Sequence, residues 1–263
     1  MGTSVQNPSA SDADRSASDP TDPPRIEFSF IVPTLNEEKL IESTLSSLQK
    51  CQQFSREIIV SDGNSTDRTV EIAAPYADRI VMAKRSASSG RNTGARIARG
   101  QYLIFVDADT AIPSIDDFMT IAVRRFRENP KLVGLTVKVK ATPPDDRSVA
   151  MRIFYGASNI TCWLFNNLLR KGCAPGIFQM INADVFRATG GYNEDLAAGQ
   201  DVELFARVAK FGRTAYETSI HVFTSPRRPA RLGVARLLTV QLINGISVLI
   251  FRKSLYKEWK SVR

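Results

Sequence analysis

The chain has 263 residues, 43% of them hydrophobic and 24% charged, with a formal net charge of +8. Such a chain buries a sizeable core, and its composition is ordinary for a soluble globular protein. Three scattered cysteines (Cys51, Cys162 and Cys173) exclude a disulfide framework and a zinc-ligand spacing, and no apolar run reaches the roughly 20 residues that cross a bilayer.

Residues 1–25 are rich in Ser, Asp and Pro and nearly devoid of large apolar side chains, so a disordered tail is expected there. They also lack the apolar stretch of a signal peptide, and with an odd number of cysteines the expected setting is reducing and cytoplasmic. From Ile26 to Val32 the chain reads as a β-strand ended by Pro33. Leu40, Ile41, Leu45 and Leu48 then follow helical spacing. Glu57–Asp62 is a second strand, Gly63–Asp67 a turn with helix-start chemistry, and a helix runs on to about Ala74. A short strand at Arg79–Met82, a helix at Gly90–Arg99 and a buried parallel-type strand at Gln101–Val106 complete the first half. The second half is more mixed. Strands are expected at Leu132–Lys140, Gly176–Ile181 and Thr214–Phe223, and helices at 149–170 and Val202–Phe211. Strands alternating with helices imply βαβ units and a mostly parallel α/β sheet flanked by helices, in which ligands bind where the strands end.

Three strands end in polar clusters. Phe105–Thr110 places Asp107 and Asp109 two residues apart after an apolar strand, and alternation lets both carboxylates face one way. Paired hard oxygen ligands suit Mg²⁺ or Mn²⁺ carrying a diphosphate; the same triplet in isolation is as readily a loop or a cap. Asp62 ends a second strand, too early to cap the helix that Asp67 caps, and a carboxylate there can accept hydrogen bonds from a base or ribose. Around Gly90 and Gly94, small residues let a helix start lie close to a ligand, with Arg91 available for phosphate; a solvated surface helix is the plainer alternative. Asp201 sits at an expected helix start, where dipole and backbone N–H groups favour the ionised form that a general base requires; a simple cap would look the same. Neither a dinucleotide-binding fingerprint nor a P-loop occurs.

Taken together, IVPTLNEE (31–38), VSDGNSTDRT (60–69), SGRNTGARIARGQYLIFVDADT (89–110) and GGYNEDLAAGQDVELFARV (190–208) resemble family 2 glycosyltransferases of the GT-A fold, in order and in spacing. The resemblance covers Phe28 to Pro229 and implies inverting transfer from a nucleoside diphosphate sugar with Mn²⁺ or Mg²⁺. It places Thr34 and Glu37 beside the nucleotide, Asp62 at the base, and Arg91, Asp107 and Ala108 at the diphosphate and sugar. Asp107 and Asp109 are similar to the family's DXD motif, with Asp109 the direct metal ligand, and Asp201 is placed like the catalytic base. Where the family carries Glu-Asp, this chain carries Gln200-Asp201, so one acidic neighbour of the base is absent. His221, the sole histidine, is a candidate for completing the metal shell, as a late histidine does in many GT-A enzymes; a structural strand histidine is the alternative.

Residues 26–225 therefore form the expected catalytic domain, and 226–263 a basic amphipathic C-terminal segment. That segment holds nine Lys or Arg against the single Glu258, and its uncharged stretch 237–251 lies between Arg227, Arg228, Arg231 and Arg236 on one side and Arg252, Lys253, Lys257 and Lys260 on the other. As a helix it would span about 22 Å, which suits peripheral contact with an anionic membrane and a lipid-linked acceptor. Residues 153–169 add a second apolar helical stripe. Two other functions compete. A nucleotidyltransferase would need a Gly-rich N-terminal loop where the chain has Pro33-Thr34-Leu35-Asn36. A non-catalytic membrane or polyanion binding module would leave the acidic strand ends unexplained, since carboxylates repel a polyanion; nucleic acid is not the expected partner.

Overall fold

The structure is a computed structural model that describes residues 26–251 and 254. The tail 1–25 and the basic positions Arg252, Lys253, Lys257 and Lys260 lie outside the described residues.

The β-rich runs assemble into one eight-stranded mixed sheet. In chain order the strands are β1 (Phe28–Thr34), β2 (Arg56–Asp62), β3 (Arg79–Met82), β4 (Tyr102–Val106), β5 (Thr110–Ala111), β6 (Leu132–Ala141), β7 (Phe178–Asn182) and β8 (Arg213–Thr224). Their spatial order is β3-β2-β1-β4-β7-β6-β8-β5. The pairs β1/β2, β1/β4, β2/β3 and β6/β8 are parallel; β4/β7, β6/β7 and β5/β8 are antiparallel. Strand β1 runs through Pro33 to Thr34, past the expected stop. Its pairing with β4 ends at Ile31, so Pro33 is paired on one side only, the edge condition under which a proline is tolerated.

The nearly continuous apolar strands are buried on both faces. Phe28, Phe30, Val32, Ile58, Val60, Ile104 and Val106 pack into one core; their alternating neighbours Ile31, Ile59, Leu103 and Phe105 pack into the other. Each such side chain contributes about 2 kcal/mol relative to exposure. The first core is covered by α1 (Ile41–Gln49), α4 (Ile115–Glu128) and α5 (Val149–Trp163); α2 (Thr69–Ala73) packs beside α1. The second lies under α3 (Ala87–Ile97), α6 (Ala183–Ala188) and α7 (Gln200–Val208). Two C-terminal helices, α8 (Arg227–Leu232) and α9 (Val234–Phe251), follow β8. Helix α9 docks on the domain, with Leu237, Asn244 and Ser247 buried and the Asn244 amide donating to Ala198 O at 3.2 Å. Among the described residues no helix is long and apolar enough to cross a membrane.

Three expectations shift. Helix α4 was not anticipated from the sequence, although Ile115, Phe118, Met119, Ala122, Val123 and Phe126 sit at helical spacing. Its start carries no side-chain cap, and Ser114 there has a left-handed φ of 44°. The helix expected over 149–170 changes form at Leu164–Leu168, a single wide π-turn. There Asn166 donates to the carbonyls of Cys162 (2.7 Å) and Cys173 (2.5 Å) and fixes the return of the chain. Finally, the small residues of α3 face the sheet. A Cβ on Gly94 would lie 2.5 Å from Ile31 and 2.7 Å from Ser61, so only glycine lets α3 approach this closely.

The amino-terminal ends of the strands are held by Glu57, which is 1% exposed. It accepts from the Ser29 hydroxyl (2.6 Å) and the Arg99 N–H (2.7 Å) and pairs with Arg79. Burial pushes its carboxyl upward, but these hydrogen bonds and the Arg79 charge outweigh burial and hold it below the usual carboxylate range. The stability it contributes is therefore present above the unfolded-state value near 4.3 and is lost as pH falls through the lower folded value. Glu57→Ala is expected to cost about 3 kcal/mol in urea denaturation at neutral pH, with a smaller difference from wild type in strong acid. An equal cost at both pH values would show that the buried charge is not what stabilises this end of the sheet.

Candidate functional site

Strands β1, β2 and β4 lie side by side and parallel, so their carboxyl ends open on one edge of the sheet. That edge gathers Thr34, Glu37, Asp62, Asp107 and Asp109, five of the residues singled out by sequence.

Asp62 closes its own turn. Its carboxylate is fully buried and accepts from Thr34 Oγ1 (3.2 Å), Ser65 N–H (2.8 Å) and Ser65 Oγ (2.5 Å). Thr34 and Asp62 thus form one unit across the β1/β2 register. Asp67 stands one residue ahead of the N-cap position Arg68 and accepts from the Thr69 N–H at 3.0 Å.

Asp107 follows β4, where its Oδ1 accepts from Arg91 Nη2 at 2.7 Å. Arg91 is buried beneath the sheet edge, 3% exposed, with its guanidinium 5.3 Å from the Tyr192 ring centre. The same Nη2 donates to Gly176 O at 3.1 Å, and the Gly176 N–H donates to Asp201 Oδ2 at 2.7 Å. Gly176 thereby links Asp107 to Asp201 through Arg91. A Cβ there would lie 2.5 Å from Arg91 and 3.2 Å from Asp201, so the close approach requires glycine. Asp201 is the second residue of α7. Its neighbour Gln200 is neutral, and Gln200 Oε1 is buried without a hydrogen-bond partner. The acid that α7 does bury, Glu203, is turned away into an ion pair with Arg207 (2.6 Å).

Burial pushes the Asp107 carboxyl up to about 6; Arg91 opposes the rise, and the charges of Asp109 and Asp201 add to it. Carboxylates crowded this closely repel, and a cation beside them relieves the repulsion. Arg91 meets part of that need from below, while its Nε and Nη1 are buried with no hydrogen-bond partner.

Asp109 is held from the other side. Its Oδ1 accepts from the Thr224 hydroxyl at 3.3 Å, and its Oδ2 is 3.0 Å from Arg227 Nη2. The same Nη2 is 3.0 Å from Glu37 Oε2. Arg228 is partly buried beside this pair; burial lowers its pKa and the charges of Asp107 and Asp109 raise it. Sequence reasoning missed these two arginines as site residues because it assigned them to the basic C-terminal segment. The available signal was their position immediately after Thr224-Ser225-Pro226, at the end of a strand.

His221 is not brought to the acidic pair. It shares a face of β8 with Phe223, against which its ring stands edge-on at 5.0 Å, whereas Thr224, of opposite parity, reaches Asp109. Burial and the neighbouring Lys140 and Lys138 charges depress its pKa, an environment that repels a metal ion. Among the described residues no three His, Cys, Asp or Glu side chains cluster as a metal cage. Asp107 and Asp109 nevertheless fit Mg²⁺ or Mn²⁺ bound in the other common way, through one or two carboxylates with substrate phosphates supplying the remaining oxygens, whereas Ala108 between them is buried in the core and its carbonyl accepts from the Thr44 hydroxyl at 2.8 Å. The mutual repulsion of the two carboxylates is the feature of this structure that favours such an ion.

A model described as Glycosyl transferase family 2 matches residues 29–186. Poly-beta-1,6-N-acetyl-D-glucosamine synthase of Staphylococcus epidermidis is 24% identical over 197 residues, 70% of this chain and 47% of that protein. Dolichyl-phosphate beta-glucosyltransferase ALG5D of Trichomonas vaginalis is 33% identical over 150 residues, 51% of this chain and 45% of that protein. The chain spans about half the length of these relatives or less, on the matched portions. The mannosyltransferase PcManGT of Pyrobaculum calidifontis, solved with GDP-Man and Mn²⁺, superposes with a TM-score of 0.63 at 23% identity, covering 90% of this chain and 66% of that one. At that identity the likeness is one of fold.

Removing Arg91 leaves Asp107 facing Asp109 and Asp201 without its partner. Asp107 keeps 33% side-chain exposure, so solvent screens part of the loss. Arg91→Leu is expected to cost about 2 kcal/mol in chemical denaturation, and Arg91→Leu with Asp107→Asn less than the sum of the single changes. Simple additivity would show that the two charges are not coupled.

Proposed function

This chain belongs to glycosyl transferase family 2, and from that premise we propose that it moves a sugar, with inversion, from a nucleoside diphosphate sugar to an acceptor hydroxyl or a lipid phosphate. The observation that carries the proposal is the continuous link from Asp107 through Arg91 and Gly176 to Asp201. It holds Asp107 and Asp201 close together, which supports reading the first as the diphosphate-and-metal end and the second as the proton acceptor.

In this reading Thr34, Glu37 and the Asp62 turn border the nucleotide. Arg91, buried against Asp107, sets positive charge beneath the diphosphate, with Ala108 next along the chain. Asp107 and Asp109 would hold Mn²⁺ or Mg²⁺, Asp109 directly, and that ion would supply positive charge against the leaving diphosphate. Support for a divalent ion comes from PcManGT, whose structure contains Mn²⁺ with GDP-Man. Asp201, oriented by the Gly176 N–H, accepts the proton of an attacking hydroxyl from the face opposite the leaving group. Bond making there and bond breaking at the diphosphate give an oxocarbenium-like transition state and inverted stereochemistry.

Asp201→Asn tests the proton transfer. Turnover is expected to fall about 1,000-fold, while UDP or GDP with Mn²⁺ still raises the melting temperature. Turnover close to wild type would show that the acceptor arrives already ionised, as a phosphate does.

Helix α5 supports a membrane-borne acceptor. Its inner face buries Met151, Phe154, Tyr155 and Cys162, and Tyr155 lies close enough to Asp109 to feel its charge. Its outer face leaves Val149, Ile153, Ile160 and Trp163 exposed, Ile160 at 68%. Residues 147–171 carry Arg147, Arg152, Arg170 and Lys171 and no Asp or Glu, a combination that suits an anionic lipid surface. Replacing Ile153, Ile160 and Trp163 together by Ser is expected to abolish co-sedimentation with vesicles containing anionic lipid and leave the melting temperature within a few degrees. Undiminished co-sedimentation would remove this face as the contact.

A further inference from the structure

We propose that Arg227 is the resident counter-cation of the acidic strand tips, and that the metal therefore enters with the diphosphate and not ahead of it. This rests on the reading of Asp109 as a metal ligand.

The fold places Arg227 by backbone pairing. Strand β5 pairs with the end of β8, with Thr110 opposite Thr224. The Ser225 N–H donates to Asp109 O (3.3 Å), and the Thr224 hydroxyl donates to Asp109 Oδ1 (3.3 Å). Two residues later Arg227 opens α8 with Nη2 at 3.0 Å from both Asp109 Oδ2 and Glu37 Oε2. The Arg227 side chain is 27% exposed and each carboxylate 16%, so the contact is largely shielded from water. Such an arrangement is stronger than a solvated surface pair.

Charge balance sets the order of binding. Among the described residues, Glu37, Asp107, Asp109 and Asp201 face Arg91, Arg227 and Arg228, four carboxylates against three guanidiniums. A divalent cation alone would make this nearly balanced cluster positive, on a carboxylate already serving a guanidinium. The two cations would repel across one Asp109 side chain. A diphosphate changes the balance. Its oxygens complete the metal's coordination and give the displaced guanidinium a bidentate anionic partner. Metal and diphosphate are thus coupled through Arg227, and by linkage each raises the affinity for the other.

The test is Mn²⁺ titration followed by the electron paramagnetic resonance signal of the free ion, without nucleotide and with UDP or GDP. The proteins are wild type, Arg227→Gln, Arg227→Lys and Asp109→Asn, each checked for native circular dichroism. Arg227→Gln is expected to bind Mn²⁺ alone about tenfold more tightly than wild type, with a smaller gain on adding the diphosphate. Arg227→Lys keeps the charge and is expected to stay close to wild type, and Asp109→Asn to lose Mn²⁺ in both conditions. Unchanged or weaker Mn²⁺ binding by Arg227→Gln, with wild type still taking up Mn²⁺ alongside the diphosphate, would overturn the role of Arg227 and leave the metal reading standing. Absence of Mn²⁺ uptake by wild type under every condition would overturn both.

Discussion

Carboxylates crowded at the tips of adjacent parallel strands are the constraint on which the rest of this structure depends. Asp107 and Asp109 stand two residues apart at the end of a strand buried on both faces, and Asp201 approaches them from α7. Negative charge in that setting needs positive charge close by. The fold supplies it from two directions: Arg91 from beneath, and Arg227 and Arg228 from the start of α8, just after β8.

Each of these arginines depends on a packing decision made elsewhere. Arg91 reaches the sheet edge because α3 lies unusually close to β1, and Gly94 makes that approach possible. Its ring contact with Tyr192 ties it to the second core through Phe105 and Phe186. Arg227 reaches Asp109 because the two-residue strand β5 pairs with the last residues of β8. Gly176 completes the arrangement, with one backbone group toward Arg91 and the other toward Asp201. The chemistry of the site is therefore carried by side chains but aligned by backbone.

Helix α5 likewise serves two ends at once. Its inner side chains close the core beside β6 and β8, and its outer apolar side chains remain in solvent, with Arg170 and Lys171 beyond its carboxyl end. A chain with no membrane-crossing helix among its described residues can thus still present an exposed apolar helix face.

The residues alone determined the βαβ alternation, the two-sided burial of β4, and the placing of Asp62, Asp107 and Asp109 at strand ends, because strand periodicity and apolar runs are local signals. The GT-A resemblance likewise rested on contiguous motifs. Tertiary structure decided what those signals could not carry. It turned the small residues of α3 toward the sheet, where sequence suggested a ligand. It sent His221 to the face of β8 away from Asp109 and brought Arg227 there instead. It made Gly176, read from sequence only as the start of a strand that in fact begins at Phe178, the junction between Asp107 and Asp201. In each case the partners are separated by tens to more than a hundred residues, and which of two strand faces or two distant charges meet is fixed by register and packing, which no local spacing encodes.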